Sequence, residues 1–200
     1  MKIYFIRHSE SEDDLNNCYG GCADWKLTEN GKQKVFDAKP FFEGKGIQKF
    51  YSSPYKRAYE TALILANEKV VVEKVFDLRE INTYGVMSGV EKNLAKELFK
   101  TFLELDEYKQ IGYYHGKSFY GGEPTHEFDA RVQNAIEKIV SNSTENIIAV
   151  VTHGGVFRSI FKNILNVQGK ILNIEDVAYA EVIYDDGKFE LVSKNGITLN

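Results

Sequence analysis

Cysteine, proline and tryptophan are scarce in this 200-residue chain, with 2, 3 and 1 copies respectively. Two cysteines cannot build a disulfide scaffold. The C-x₃-C pair of Cys18 and Cys22 meets no further Cys or His until His115, so its spacing does not signal a zinc site. Free thiols in a reducing cytoplasm are the expectation. No apolar run approaches the ~20 residues that cross a bilayer. The opening Met1–Arg7 stretch is too short for a signal-peptide core. Without such a signal, Asn142-Ser143-Thr144 reads as a chance sequon, and no membrane partner is expected. An excess of positive charge is also missing: 25 Lys and Arg against 29 Asp and Glu leave a net charge of −4. That balance argues against sequence-independent nucleic-acid binding, which needs a broad basic face. Neither an internal repeat nor a low-complexity linker is present.

What is there suits a folded domain: 43% hydrophobic and 27% charged residues, enough chain for one substantial core. Lys2 to Ile6 reads as a buried strand cut off by charge. Thr28 is a helix N-cap candidate, followed by Lys32 to Phe42 with Val35, Phe36, Ala38 and Phe42 facing inward. Phe50-Tyr51-Ser52 ends a second strand. Ser53-Pro54 reads as the cap and first residue of a helix from Tyr55 to Asn67. Val70-Val71-Val72 is a third apolar run. A helix is expected from Val90 to Tyr108, then a Gly/Tyr-rich loop. Glu123-Pro124 opens an amphipathic helix reaching about Val140. Ile147 to Val151 is the strongest strand, with a helix from Val156 to Leu165 after it. Ala178 to Val192, around Asp185-Asp186-Gly187, alternates like a hairpin at a sheet edge. The expected fold class is α/β: a three-layer α/β/α sandwich with a mostly parallel sheet and an antiparallel edge strand. One domain over 1–200 is expected, with a helical and loop cap inserted at about 82–125.

In such a sheet ligands bind outside the carboxyl ends of the strands. Three expected strand ends carry Arg7-His8, Ser52-Ser53-Pro54 leading to Arg57, and His153-Gly154-Gly155. Each residue alone has a bland reading as a loop, solvated or capping residue. Together, two histidines and two arginines on one rim match a phosphoryl group. Arginines offer planar forks to its oxygens, a neutral imidazole can attack phosphorus, and amides at a Gly-rich helix start add donors.

These segments, in this order, resemble the histidine phosphatases, the phosphoglycerate-mutase-like superfamily. Phe5-Ile6-Arg7-His8-Ser9-Glu10 is similar to the family's Arg-His-Gly-Glu opening. Asp24, Leu27-Thr28 and Gly31 resemble its next segment, and Ser52-Ser53-Pro54 through Arg57-Ala58 and Thr61-Ala62 its Ser-Pro-x-x-Arg-Ala helix. Leu78-Arg79-Glu80-Ile81 with Gly85 and Gly89 is similar to the stretch holding the general acid. Gly122-Glu123 with Arg131 and Val151-Thr152-His153-Gly154-Gly155 complete the set. The resemblance implies a phosphohistidine mechanism with His8 as nucleophile. It has Arg7, Arg57 and His153 on the phosphoryl oxygens, the Gly154 amide assisting, and Glu80 as proton donor and then acceptor. Ser9 and Gly20 are further expected substrate contacts. No metal or other cofactor is implied.

Three departures from the family pattern stand out. Ser9 replaces the usual Gly beside the nucleophile, so a Cβ must be tolerated there. Asp13-Asp14 stands where Asn is common, and two acids near the mouth could discourage highly anionic substrates. Pro124 replaces the usual Ser.

The resemblance implies a phosphoric monoester hydrolase of the histidine acid phosphatase type, acting on a small phosphate ester. Tyr19-Gly20-Gly21 is reminiscent of α-ribazole phosphatases, and broad-specificity phosphatases look nearly as similar. A 2,3-bisphosphoglycerate-dependent mutase is the rival within the family, although mutases tend to carry a longer insertion between general acid and second histidine. A catalytically silent phospho-ligand binder is the rival outside enzymes. Gly112 to Ser118 looks like a P-loop but has three residues between its glycines instead of four, with no strand before it. Tyr113, Tyr114, Phe119 and Tyr120 read as a substrate-covering loop or aromatic cap, with Lys117 as a possible anion contact. Oligomeric state is left open.

Overall fold

The alternation of side chains along each strand decides which helices cover which face of the sheet. The structure, a computed structural model, describes residues 1–200. In chain order its regular elements are β1 (Lys2–Arg7), α1 (Glu12–Leu15), α2 (Glu29–Glu43), β2 (Lys49–Ser52), α3 (Lys56–Ala66) and β3 (Val72–Lys74). Then come α4 (Lys92–Leu98), α5 (Lys100–Leu103), α6 (Thr125–Asn142), β4 (Ile147–Thr152), α7 (Gly154–Ser159), β5 (Ile171–Asp185) and β6 (Lys188–Leu199). The six strands lie in the order β3-β2-β4-β1-β5-β6. β1 and β2 flank β4 and run parallel to it, as β3 does to β2, while β5 and β6 are antiparallel. The fold is therefore the α/β class expected, and its antiparallel edge holds two strands.

Successive strand residues point to opposite faces. Ile3 and Phe5 of β1, with Ile148 and Val150 of β4, pack on Phe128, Val132 and Ile136 of α6 and on Val156 and Phe157 of α7. Tyr4 and Ile6, with Ala149 and Val151, pack on Val35 and Phe42 of α2 and on Ala58, Ala62 and Leu65 of α3. A one-residue slip of β1 would exchange the two sets. Burying an Ile or Phe side chain contributes roughly 1.5–3 kcal/mol, so the register is held from both sides. No helix is long and apolar enough to cross a membrane.

Local signals set the ends of several elements. The Thr28 hydroxyl accepts from the Gly31 amide at 2.8 Å, capping α2. At the β5–β6 turn, Asp186 and Gly187 have φ of 44° and 77°, the left-handed pair that a two-residue hairpin needs. The hairpin runs from Ile171 to Leu199, beyond the stretch its alternation marks. β3 pairs from Val72 rather than Val70: the Phe50 amide donating to the Val71 carbonyl is the first bond of that parallel ladder.

Three sequence expectations need correction. α3 begins at Lys56 with Tyr55 as its cap, not at Pro54 after Ser53. Ser53 is fully buried; its hydroxyl meets His153 Nε2 and accepts from the Tyr55 amide. The helix expected over Val90–Tyr108 is broken into α4, α5 and a 3₁₀ turn. That break lets Phe99 and Tyr108 both reach Phe119, at ring separations of 5.4 and 4.8 Å. In one continuous helix they would stand about 13 Å apart along the axis. The helix after β4 starts at Gly154, earlier than Val156, and its last turn, Ile160–Ile164, widens to a π-helix.

Candidate active site

Because β2, β4 and β1 are neighbours running the same way, their carboxyl ends place Ser53, His153 and His8 side by side. Arg7 pairs with Thr152 and Ser52 with Val151. The His8 amide donates to the Thr152 carbonyl at 2.9 Å, and the Ser53 amide to the Val151 carbonyl at 3.0 Å. The two imidazole rings lie 5.0 Å apart at 62°. Arg57, in the first turn of α3, is only 2% exposed.

The hydrogen bonds select the tautomer of His8 and constrain that of His153. His8 Nδ1 lies 2.6 Å from the carbonyl oxygen of Ser9. A carbonyl only accepts, so Nδ1 carries the proton and Nε2 of the neutral ring keeps a bare lone pair. His153 Nε2 lies 2.8 Å from the Ser53 hydroxyl, while its Nδ1 is buried without a partner. The Ser53 oxygen also accepts from the Tyr55 amide at 3.3 Å; in the tautomer where its hydroxyl donates to Nε2, the hydrogen of His153 sits on Nδ1. Burial first, then the Arg57 and Arg7 guanidiniums, hold the His8 pKa well below the usual histidine range; the bond to Ser9 opposes this. Burial, then Arg57 and His8, do the same to His153.

Both arginines of the rim are held by backbone oxygens. Arg57 donates to Ala23 and Gly21 at 2.8 and 3.2 Å, and Arg7 to Ile174 at 2.5 Å with Asp176 at 3.6 Å. Each guanidinium has five N–H groups, so donors remain for an anion.

Glu80 sits on irregular backbone after the 3₁₀ turn at Phe76–Leu78. Its Oε1 accepts from the Ile81 amide at 2.8 Å and its Oε2 from the Gly155 amide at 3.0 Å, leaving each oxygen a further lone pair. Arg131 of α6 fixes the backbone beneath it. Its guanidinium donates to the carbonyls of Asp77, Arg79 and Glu80 and forms a two-pronged pair with Glu123 at 2.6 and 2.8 Å. The Thr152 hydroxyl adds a bond to the Leu78 carbonyl at 2.8 Å.

These groups border a pocket of about 560 Å³ lined by Arg7, His8, Gly20, Arg57, Glu80 and Gly154, and also by Asp13, Asp14, Tyr113, Tyr114 and Arg158. The Gly154 amide opens α7 and has no intrahelical acceptor. Neither Ser9 nor His153 lines the pocket, and both are fully buried, so their expected places against the substrate are not among the pocket's walls. The Ser9 carbonyl holds His8, the Ser9 amide donates to Thr61 Oγ1 at 3.4 Å, and the Ser9 hydroxyl is buried without a partner. Its backbone φ is not positive, so the Cβ is accommodated without left-handed strain. Lys117 is exposed and away from the pocket wall. The aromatic group divides. Tyr113 is buried with its hydroxyl on Asp129, Phe119 packs with Met87 and Ala95, and Tyr120 is 72% exposed. The P-loop look-alike is a 3₁₀ turn at Tyr113–His115, closed by a Gly112–Lys117 bridge.

The profile of the histidine phosphatase superfamily (branch 1) matches residues 3–196. The chain belongs to that superfamily. This histidine phosphatase homologue is 30% identical over 168 residues to phosphoserine phosphatase 1 of Hydrogenobacter thermophilus, covering 84% of this chain and 77% of the relative. It is 37% identical over 105 residues to a 2,3-bisphosphoglycerate-dependent phosphoglycerate mutase of Streptococcus thermophilus, covering 50% of this chain and 45% of the mutase. The solved α-ribazole phosphatase of Shigella flexneri shares the fold, with a TM-score of 0.80 at 16% identity, covering 98% of this chain and 96% of that one.

Sequence reasoning overlooked Ser53 as the partner of His153, Gly155 as the space Glu80 occupies, and Arg158. A Cβ on Gly155 would overlap Glu80 Oε1 and lie 2.8 Å from Ile81 Cγ2. Gly155→Ala is therefore expected to lower kcat for p-nitrophenyl phosphate on the order of 10²-fold by displacing the carboxyl, with the circular dichroism spectrum retained. Unchanged kcat would show that Glu80 placement does not matter. The histidines give a second expectation. Each folded pKa lies below the unfolded value near ~6.5, so the unfolded chain binds more protons there. The stability supplied by the neutral rings is complete above about pH 6.5 and declines as pH falls through that value. By NMR in phosphate-free buffer, the rings of His8 and His153 should have titration midpoints below ~6.5; a midpoint above it for either ring contradicts the electrostatic account.

Proposed function

We propose that this protein is a phosphomonoesterase that hydrolyses a small phosphorylated metabolite through a phosphohistidine on His8. The observation that carries the reading is the tautomer of His8: Nδ1–H is tied to the Ser9 carbonyl, and a bare Nε2 is buried next to two guanidiniums. Nε2 attacks phosphorus, the N–P bond forms, and the bond to the alcohol oxygen breaks. Arg7, Arg57 and His153 Nδ1–H offset charge on the three equatorial oxygens. Protonated Glu80 gives its proton to the leaving alkoxide. The carboxylate then takes a proton from water, whose oxygen attacks phosphorus as the N–P bond breaks, releasing inorganic phosphate and neutral His8.

Hydrolysis is favoured over phosphoryl transfer to a second hydroxyl by the phosphoserine phosphatase match, which spans most of both chains, whereas the mutase match spans half of this one. Phosphoserine, glucosyl-3-phosphoglycerate and α-ribazole phosphate, taken from the names of similar proteins, are the natural members of a first substrate panel.

Phosphate release from that panel and from p-nitrophenyl phosphate tests the reading. Turnover by the wild type and a drop on the order of 10³-fold or more in His8→Ala are expected. Conversion of 3-phosphoglycerate to 2-phosphoglycerate with 2,3-bisphosphoglycerate as primer, faster than phosphate release, would favour the mutase. Tight phosphate binding without any turnover would favour a silent binder.

A further inference from the structure

The chain has five arginines, and four are committed within the protein. Arg7 and Arg57 hold backbone oxygens at the rim, Arg131 clamps the Glu80 loop, and Arg79 Nε donates to the Phe76 carbonyl at 2.8 Å. Arg158 has neither a hydrogen bond nor a carboxylate within 4.0 Å, yet it is half-buried in the pocket wall. It lies one helical turn after Gly154 on α7, so both occupy the same face. A Cβ on Gly154 would stand 3.0 Å from Arg158 Nη1 and 4.0 Å from Glu80 Oε2. The missing side chain at Gly154 thus leaves room for the guanidinium. The same geometry puts the Arg158 guanidinium and the Glu80 carboxyl on either side of Gly154, so Arg158 borders the part of the pocket that Glu80 serves. Tyr114 backs it, 5.9 Å from ring centroid to guanidinium carbon.

The donors of this guanidinium are open to the pocket rather than spent on the protein, so a ligand that supplies acceptors meets a permanent charge with its whole fork available. We propose that Arg158 is a specificity-determining residue that binds a carboxylate on the leaving alcohol, so that the preferred substrates are phosphate esters of hydroxy acids. The inference rests on the phosphomonoesterase reading and extends it to the substrate class. A carboxylate suits the site better than a second phosphate. Its two oxygens match one planar guanidinium fork, and the same pocket presents Asp13 and Asp14, neither of which is paired with a Lys or Arg. Those acids repel a further dianion more strongly than a single negative charge.

The decisive comparison is 3-phosphoglycerate against glycerol 3-phosphate, which differ in carboxylate against hydroxymethyl. The wild type is expected to favour 3-phosphoglycerate by at least about tenfold in kcat/KM, a factor corresponding to one well-made charged contact. In Arg158→Gln the preference should collapse to under about threefold, chiefly through a raised KM for the carboxylate ester, with Arg158→Lys intermediate. The wild-type comparison needs no variant and stands if the variants fail to fold. Equal kcat/KM for the two esters, a preference that survives Arg158→Gln, or faster turnover of fructose 1,6-bisphosphate than of either would overturn the assignment. Hydrolysis of p-nitrophenyl phosphate without the carboxylate preference would overturn this inference alone. No phosphate release from any ester would overturn the phosphatase reading and this inference together.

Discussion

Two imidazole rings 5.0 Å apart and the Arg57 guanidinium share a corner of the protein that water barely reaches, with the partly exposed Arg7 at its edge. The arginines stay charged at any relevant pH, so the rings can be buried beside them only while neutral. That constraint orders everything around it. A neutral His8 has one proton to place, and the Ser9 carbonyl takes it on Nδ1. A neutral His153 has its Nε2 met by Ser53. What remains is one lone pair on His8 at the pocket wall and the unpartnered Nδ1 of His153 buried behind it, set among guanidinium donors: the arrangement that the proposed nucleophile and its charge-offsetting partners need. A phosphoryl dianion completes the balance, since it supplies the negative charge that the corner lacks.

The sheet makes this juxtaposition possible. β4 sits between β2 and β1, all three parallel, so three segments distant in sequence end at one level. The second half of the chemistry is held less directly. Glu80 lies on irregular backbone, and its position depends on Arg131, Glu123 and the Thr152 hydroxyl. Removing one partner of the Arg131–Glu123 pair would leave a charge and several carbonyls unsatisfied, which is costly in a half-buried setting.

Much of this is legible in the sequence, and the illegible parts have physical reasons. His8 and His153 follow abruptly on apolar runs, so their place at strand ends can be read from Lys2–Ile6 and Ile147–Val151. Thr28 as a cap and Asp186-Gly187 as a turn are read from local chemistry alone. Arg158 could not be singled out: its meaning lies in having no partner, and that depends on where every acidic group in the fold ends up. Gly155 needs knowledge of Glu80, which approaches from 75 residues away. The helix expected over Val90–Tyr108 fails because Phe119, outside the window, gathers Phe99 and Tyr108 around itself. Ser9 shows the reverse case. The expected place against the substrate belongs to its neighbours, and the residue acts through a carbonyl that any amino acid would have.

The central claim concerns one nitrogen atom. Rapid alkaline quenching during turnover, followed by peptide mapping and phosphorus NMR of the isolated phosphopeptide, reads it directly. The account predicts phosphate on Nε2 of His8 and none in His8→Asn. Phosphate on Nδ1 of His8, or on His153, would contradict it.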